Sequence, residues 1–157
     1  MRGHRRGRGE RPKAWLVEIG MAEGKFLLEI VTPYGLIFSE EVEEVTANGS
    51  EGEFGVFPGH VPFVTTLKAG MLTCKINNQP LFFFVSWAYC GVGPRGMFVL
   101  ADSAEKSEEI DVERAKAAMK RAEERLKQAE KIDFARAESA LERATIRVQL
   151  AEKKTTK

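Results

Sequence analysis

The sequence predicts an α+β protein in which a β-rich part comes first and a helical part follows. Short runs rich in Val, Ile, Phe and Leu recur over residues 26–100 with turn residues between them, as in a β-sandwich or barrel. After Ala101 there is no glycine or proline, and Ala, Glu, Lys and Arg, most of them good helix formers, dominate. We therefore divide the chain into an arm over 1–20, a β-domain over 21–104 and a helical hairpin over 105–157.

The β-domain is predicted from apolar runs that alternate with turn signals. Asn48-Gly49, Pro58-Gly59 and Asn77-Asn78 are pairs that favour tight turns. The predicted strands cover residues 26–31, 36–38, 42–47, 53–56, 64–67, 71–76, 81–86, 89–92 and 97–100. Residues 49–60 are rich in glycine, but they lack the Gly-Lys-Ser/Thr ending of a phosphate-binding loop, so a hairpin with a tight turn is the simpler interpretation.

Two stripes of small and apolar residues, each with the spacing 3, 4, 3, 4, 3, predict two helices. The first stripe is Val112, Ala115, Met119, Ala122, Leu126 and Ala129, and the second is Phe134, Ala137, Leu141, Ala144, Val148 and Ala151. Asp111 and Asp133 are suitable N-caps.

An antiparallel turn near Lys131-Ile132 would set small residues against large ones, pairing Ala115 with Val148, Met119 with Ala144, Ala122 with Leu141, and Leu126 with Ala137. Alanine buries little area, so such a seam is only marginally stable. The hairpin is either able to open or permanently docked, and the periodicity does not decide between the two.

The first 20 residues contain six basic and two acidic side chains and are predicted to be disordered. They admit three interpretations: a basic tail that touches nucleic acid or lipid, a targeting peptide, or residues upstream of a start at Met21, which we favour. The apolar stretch before Met21 is too short for a secretory signal, and no apolar run is long enough to span a membrane.

No group of side chains in the sequence has the pattern of a catalytic site. Cys74 and Cys90 lack CxxC spacing and are predicted to be buried, inert thiols. His60 has no metal-ligand partners around it, and the carboxylates after Glu105 alternate with basic residues as on a solvated helix face. An enzyme, such as a small hydrolase, is therefore the weakest hypothesis.

Arginines on both predicted helices project near the seam. Arg114 and Arg121 lie on the first helix, Arg143 and Arg147 on the second, and the antiparallel register sets Arg114 near Arg147. Converging guanidinium groups repel one another unless an anion or carboxylates compensate, and their geometry suits phosphate oxygens. The alternative is simple pairing with Glu113, Glu123 or Glu142.

Two stretches of sequence resemble a known family. Residues 52–63 (GEFGVFPGHVPF) with LKAG at 67–70 form the first, and VLADSAE at 99–105 leading into IDVERA at 110–115 forms the second. Over about residues 26–152 the chain resembles the epsilon subunit of bacterial and chloroplast F-type ATP synthases, whose mitochondrial counterpart is called delta. It departs from the family pattern at residues 86–92 (SWAYCGV) and in its basic arm.

The resemblance implies a ten-stranded β-sandwich followed by an antiparallel two-helix hairpin. It also implies a non-catalytic rotor subunit of a proton-translocating complex, peripheral on the cytoplasmic face of the bacterial inner membrane. The implied partners are the gamma subunit, the ring of c subunits and, when the hairpin extends and inhibits ATP hydrolysis, an acidic segment of beta. Glu53 and His60 become candidates for contact with the c ring.

Some family members bind ATP in the folded hairpin, and this chain has matching residues. By resemblance the ATP-binding positions are Glu105, Ile110, Asp111, Arg114, Ala115, Arg143 and Arg147. We expect no cofactor or metal, with ATP as a possible regulatory ligand. The alternative is a free binding module that uses the basic arm on nucleic acid or a membrane surface.

Overall fold

The structure, a computed structural model, describes residues 24–128 and 133–153. Within these ranges the chain forms ten strands and then two α-helices, α1 (Val112–Lys127) and α2 (Phe134–Lys153). The strands are β1 (Phe26–Thr32), β2 (Gly35–Val42), β3 (Glu44–Gly49), β4 (Gly52–Val56), β5 (Phe63–Leu67), β6 (Gly70–Ile76), β7 (Gln79–Val85), β8 (Ala88–Gly93), β9 (Gly96–Ala101) and β10 (Ala104–Lys106). The predicted β-sandwich followed by two helices is confirmed. The predictions for residues 1–20, for Met21 and for the turn near Lys131-Ile132 lie outside the described residues.

The strands follow the order β10-β7-β6-β3-β5-β8-β9-β1-β2, with β4 paired to β3. The β1–β9 pairing is parallel and the others are antiparallel. The ends of this path come together, since β2 contacts β6 and β1 contacts β10. The sheet therefore folds over one apolar core.

Alternating side chains on the strands build that core. Buried and less buried residues alternate strictly along β1, as expected for a strand with one face on the core. Leu28, Ile30, Val45, Phe83 and Val99 are among the residues that meet inside the sandwich. Cys74 and Cys90 lie in the same cluster, so the prediction that both thiols are buried is confirmed.

The strand predicted over 42–47 corresponds to β3, but its start is wrong, because the chain passes from β2 to β3 at Glu43. The Glu43 carboxylate accepts hydrogen bonds from the backbone N–H groups of Asn77 (3.0 Å) and Asn78 (3.1 Å). Both asparagines have positive φ, 50° and 62°, in the tight turn between β6 and β7. Glu43 thus stabilises the turn between β6 and β7, and it also separates β2 from β3. In the sequence, the nearby Val42 and Val45 made the two strands look like one apolar run.

Two other strand predictions fall short. The strand predicted over 36–38 is longer in the structure and runs from Gly35 to Val42. The prediction was too short because polar residues on the outer face of the strand interrupt the apolar run. Strand β10 was missed altogether, and it extends the sheet to Lys106, beyond the boundary expected at 104. Its three residues pair with β7 and are too few to show a sequence pattern.

The two helices pack on each other and on the outer face of β6 and β7. Ala115, Ala122, Ala137, Ala144 and Val148, all members of the predicted stripes, are buried. A second cluster, separate from the sandwich core, joins the helices to Phe84, with Met71 and Phe82 packed beside it. Asp111 and Asp133 accept hydrogen bonds from the backbone N–H groups of Arg114 and Arg136, as predicted for N-caps.

Candidate functional site

A cavity of about 310 Å³ opens where the start of α1 meets α2 and strand β10. It combines six charged side chains with three apolar ones, and its lining residues are Glu105, Glu109, Ile110, Asp111, Arg114, Ala115, Ala118, Arg121 and Arg147. The structure thus brings together six of the seven residues that the resemblance assigns to ATP. We call this space the hairpin cavity.

Arg147 is the best-fixed side chain of the hairpin cavity. Its Nη2 lies 3.3 Å from Oε1 of Glu105, and its guanidinium carbon lies 4.1 Å from the ring centroid of Phe84. Glu105 and Phe84 are register partners on β10 and β7, so one arginine contacts two adjacent strands. A guanidinium stacked on an aromatic face and paired with a carboxylate holds one orientation. Its Nε is buried without a hydrogen-bond partner among the described residues.

The Arg147–Glu105 ion pair differs from the carboxylate pairing that the sequence suggested as the alternative for the arginines. Arg147 pairs with Glu105 of the sheet and not with one of the helix acids Glu113, Glu123 or Glu142. Another ion pair joins Lys75 to Glu44 at 2.9 Å, within the sandwich. Phe84 was missed from the sequence, because nothing in an apolar strand shows which residue faces a helix.

Asp111 and Ile110 stabilise the start of α1 at the rim of the hairpin cavity. The Asp111 carboxylate caps α1, accepting from the Arg114 N–H at 3.1 Å, so it fixes where the helix begins. Ile110 is buried in the cluster beneath the helices and anchors the segment that leads into α1. These two residues therefore position Arg114 at the first turn of α1.

Arg143 does not join the other six ATP candidates. It lines a cavity of about 600 Å³ between α2 and the sheet, together with Lys68, Trp87, Asp102 and Glu142. It also lines a cavity of about 490 Å³ between the two helices, with Arg125 and Arg136. In this arrangement Arg143 belongs to the neighbouring surfaces of the hairpin.

The c-ring candidates lie in strand β4 and the loop after it. His60 is exposed, its Nδ1 lies 2.8 Å from the carbonyl oxygen of Val61, and its ring centroid is 5.1 Å from that of Phe63. Glu53 is exposed in β4, opposite Asn48 in the register. Phe57 and Val61 add exposed apolar surface to the same loop. The loop presents apolar side chains and one imidazole, without a metal-ligand cluster among the described residues.

A second surface is the outer face of β5, β8 and β9, where large apolar side chains are exposed. They are Val64, Trp87, Tyr89, Phe98 and Leu100. Tyr89 is opposite Leu100 in the register, and Trp87 meets Tyr89 edge to face, with 5.9 Å between ring centroids. The Phe98 ring covers Gly91, where a Cβ atom would come within 2.2 Å of it. Residues 86–92, which depart from the family pattern, thus include a regular strand with aromatic side chains outside. We call this surface the aromatic face.

Comparison with known proteins covers both parts of the chain. The model of the ATP synthase delta/epsilon chain β-sandwich domain matches residues 25–107, and that of the long α-helix domain matches residues 108–152. The ATP synthase epsilon chain of Thermodesulfovibrio yellowstonii is 55% identical over 106 residues, which are 68% of this chain and 76% of that protein. The chain belongs to the ATP synthase delta/epsilon family.

A second relative agrees with this assignment, and a solved structure shares the fold. The epsilon chain of Trichlorobacter lovleyi is 52% identical over 108 residues, 69% of this chain and 78% of that protein. A chain in the Euglena gracilis mitochondrial ATP synthase shares the fold, with a TM-score of 0.70 at 21% identity, over 100% of this chain and 91% of that one. Within the described residues, neither helix is long and apolar enough to cross a membrane.

Proposed function

We propose that this delta/epsilon-family chain is a non-catalytic central-stalk subunit of a proton-translocating F-type ATP synthase. It would couple the gamma subunit to the ring of c subunits, peripherally on the cytoplasmic face of the bacterial inner membrane. The observation that carries the proposal is the match to both the sandwich and the long-helix domains in one chain. The exposed surfaces described above suit binding to other subunits.

The aromatic face is our candidate for the gamma interface. Interfaces are enriched in aromatic residues, and a surface row of five large apolar side chains is unusual for a protein that works alone. The loop that carries Phe57, His60 and Val61 is the candidate for the c ring, with Glu53 beside it in the sequence. The basic residues of the hairpin would meet the acidic segment of beta when the helices extend.

The gamma interface is tested by measuring the affinity of the full chain for purified gamma. Trp87→Ala and Tyr89→Ala each remove one of the two rings that meet edge to face, and each should weaken binding about tenfold or more, as at central interface residues. Tyr34→Ala is the matched control, because Tyr34 is a 94% exposed aromatic residue in the turn between β1 and β2. Equal losses in all three variants would contradict the assignment of this face.

The hairpin cavity is our candidate for a regulatory ATP site. Arg114, Arg121 and Arg147 supply guanidinium groups for the phosphates, and Ile110 and Ala115 supply apolar contacts. The phosphates would compete with Glu105 for Arg147, so that ATP ties α1 and α2 to the same ligand. A ligand that prefers the folded hairpin shifts the population toward it and away from the extended, inhibitory state.

Calorimetric titration of the full chain with ATP tests this site. Arg114→Ala and Arg147→Ala should each weaken binding about tenfold or more, because each removes a charge-assisted contact to phosphate. Lys116→Ala is the control, since Lys116 is exposed on α1 and does not line the hairpin cavity. Without saturable binding at millimolar ATP, the sensing role is lost and the central-stalk role remains.

A further inference from the structure

The methionines that the structure describes differ in how well the fold shields them. Met97 is 2% exposed in the sandwich core. Met71 on β6 and Met119 on α1 are only partly buried, and both pack against the apolar cluster that joins the helices to Phe84. Because oxidation of methionine follows exposure, an oxidant in solution reaches the two side chains that help to dock the helices, and not the one in the sandwich core.

Met119 lies in the seam between α1 and α2. It stands between Ala115 and Ala122 on the apolar stripe of α1, and both alanines are buried. A long, flexible thioether fills the space that such small side chains leave. No hydrogen bond to the Met119 sulfur is found within residues 24–128 and 133–153. Its contribution to the seam is therefore apolar packing.

Oxidation of Met119 would remove that packing. The sulfoxide is polar, and its oxygen is a hydrogen-bond acceptor. If the oxygen stays in the seam, it is buried without a donor, which is unfavourable. If it turns toward water, the side chain leaves the cluster. Both outcomes weaken the contact between the helices, and a seam built mainly from alanines has little other buried apolar area to hold them together.

Met71 has a different environment. Its Sδ accepts a hydrogen bond from Nζ of Lys153, the last residue of α2, at 3.5 Å. The same ammonium group lies 5.3 Å from the ring centroid of Phe82. A sulfoxide oxygen on Met71 would find this charged donor in place, and a charge-assisted hydrogen bond offsets the cost of the polar group. Oxidation of Met71 is therefore compensated where oxidation of Met119 is not.

We propose that Met119 is an oxidation site whose sulfoxide loosens the docked hairpin, with a peroxide as the oxidant. The sulfur lone pair attacks one oxygen of hydrogen peroxide, the O–O bond breaks, and the second oxygen leaves as hydroxide and is protonated to water. Sulfur loses two electrons and the peroxide gains them, and a thiol-dependent sulfoxide reductase reverses the change. The consequence for regulation rests on the proposed function: peroxide would favour the extended, inhibitory hairpin.

Treatment of the full chain with dilute hydrogen peroxide tests the proposal. Peptide mapping by mass spectrometry measures how fast each methionine gains one oxygen, and Met119 should react at least about tenfold faster than the shielded Met97. Amide hydrogen exchange in α1 and α2 should then be about tenfold faster in the oxidised chain than in the untreated one. A sulfoxide reductase with a thiol should restore the slow exchange.

Leucine variants separate the effects of the two methionines, because leucine is apolar and close to methionine in volume, and it has no sulfur to oxidise. In Met119→Leu, peroxide should leave the exchange of both helices unchanged. Met71→Leu is the matched control and should respond to peroxide as the parent chain does. Exchange measured before treatment shows whether each variant keeps its helices docked.

The proposal is overturned if Met119 reacts no faster than Met97, or if its oxidation leaves the exchange of the helices unchanged. An equal response to peroxide in Met119→Leu would also overturn it, as would a response that disappears in Met71→Leu, since the sensitive methionine would then be Met71. These measurements use the isolated chain, so they test the oxidation site separately from the regulatory role of the hairpin in the complex.

Discussion

At the scale of single residues, burial decides what the two cysteines do. Burial raises the pKa of the Cys90 thiol to about 12, and burial together with the nearby Glu40 carboxylate raises that of Cys74 to about 12. Since the thiolate is the reactive form, both side chains behave as small apolar groups at neutral pH. Their sequence context allowed this prediction, because neither had a partner at a metal-ligand or redox spacing.

These raised pKa values predict a loss of stability in alkali. The unfolded chain releases the thiol protons near pH 9 and the folded chain only near pH 12, so the free energy of unfolding falls as the pH rises through that window. At about pH 10 each thiol should lower the free energy of unfolding by about 1 kcal/mol. Urea unfolding at about pH 8 and pH 10 measures the loss, which should be smaller in a Cys74→Ala, Cys90→Ala variant. An equal loss in that variant would assign the effect to other groups.

At the scale of secondary-structure elements, β7 serves two apolar clusters through neighbouring residues. Phe83 points into the sandwich core, and Phe84 points outward into the cluster under the helices. Both are fully buried, with 1% and 0% of their surface exposed. The adjacent phenylalanines read in the sequence as one apolar run, so their opposite roles appear only once α1 and α2 are in place.

Replacing each phenylalanine by alanine should separate the two clusters. Phe83→Ala removes a large side chain from the sandwich core and should lower global stability by about 3–5 kcal/mol. Phe84→Ala should instead speed amide exchange in α1 and α2 and leave the central strands β3, β5 and β8 protected, because it weakens mainly the docking of the helices. Hydrogen exchange with mass spectrometry distinguishes these outcomes. Uniform deprotection in the Phe84 variant would mean that sandwich and hairpin unfold as one unit.

The sequence predicted elements well where periodicity is long and poorly where it is short. The stripes of α1 and α2 and their capping aspartates are local patterns, and they agree with the structure except near the turn of the hairpin, where Phe134 is 58% exposed. Ala129 of the first stripe lies outside the described residues. Strand β10 is defined by its pairing with β7 and has no local pattern. Likewise, the candidate site combined a local motif at 110–115, found from the sequence, with Phe84 and the Glu105–Arg147 pair, which depend on tertiary contacts.

At the scale of the whole molecule, the apolar core of the sandwich contains no residue of α1 or α2. Every residue of that core lies between Phe26 and Ala104, and the cluster under the hairpin is smaller. A chain shortened after Lys106 should therefore keep cooperative unfolding of its β-structure. It should also expose Phe84, Phe82 and Met71, and so bind the dye ANS more strongly than the full chain. A shortened chain without a cooperative transition would show that the helices are needed for folding.

The segment between sheet and hairpin sets a limit on any motion of the helices. Strand β10 ends at Lys106 and α1 begins at Val112, so the connection between them is only five residues long, Ser107–Asp111, and its first three residues form a 3-10 helix. Even fully extended, it keeps the start of α1 within about 20 Å of the end of β10. Any movement of the helices relative to the sheet would therefore be a rotation about this connection, since the base of the hairpin cannot travel farther from β10 than that distance.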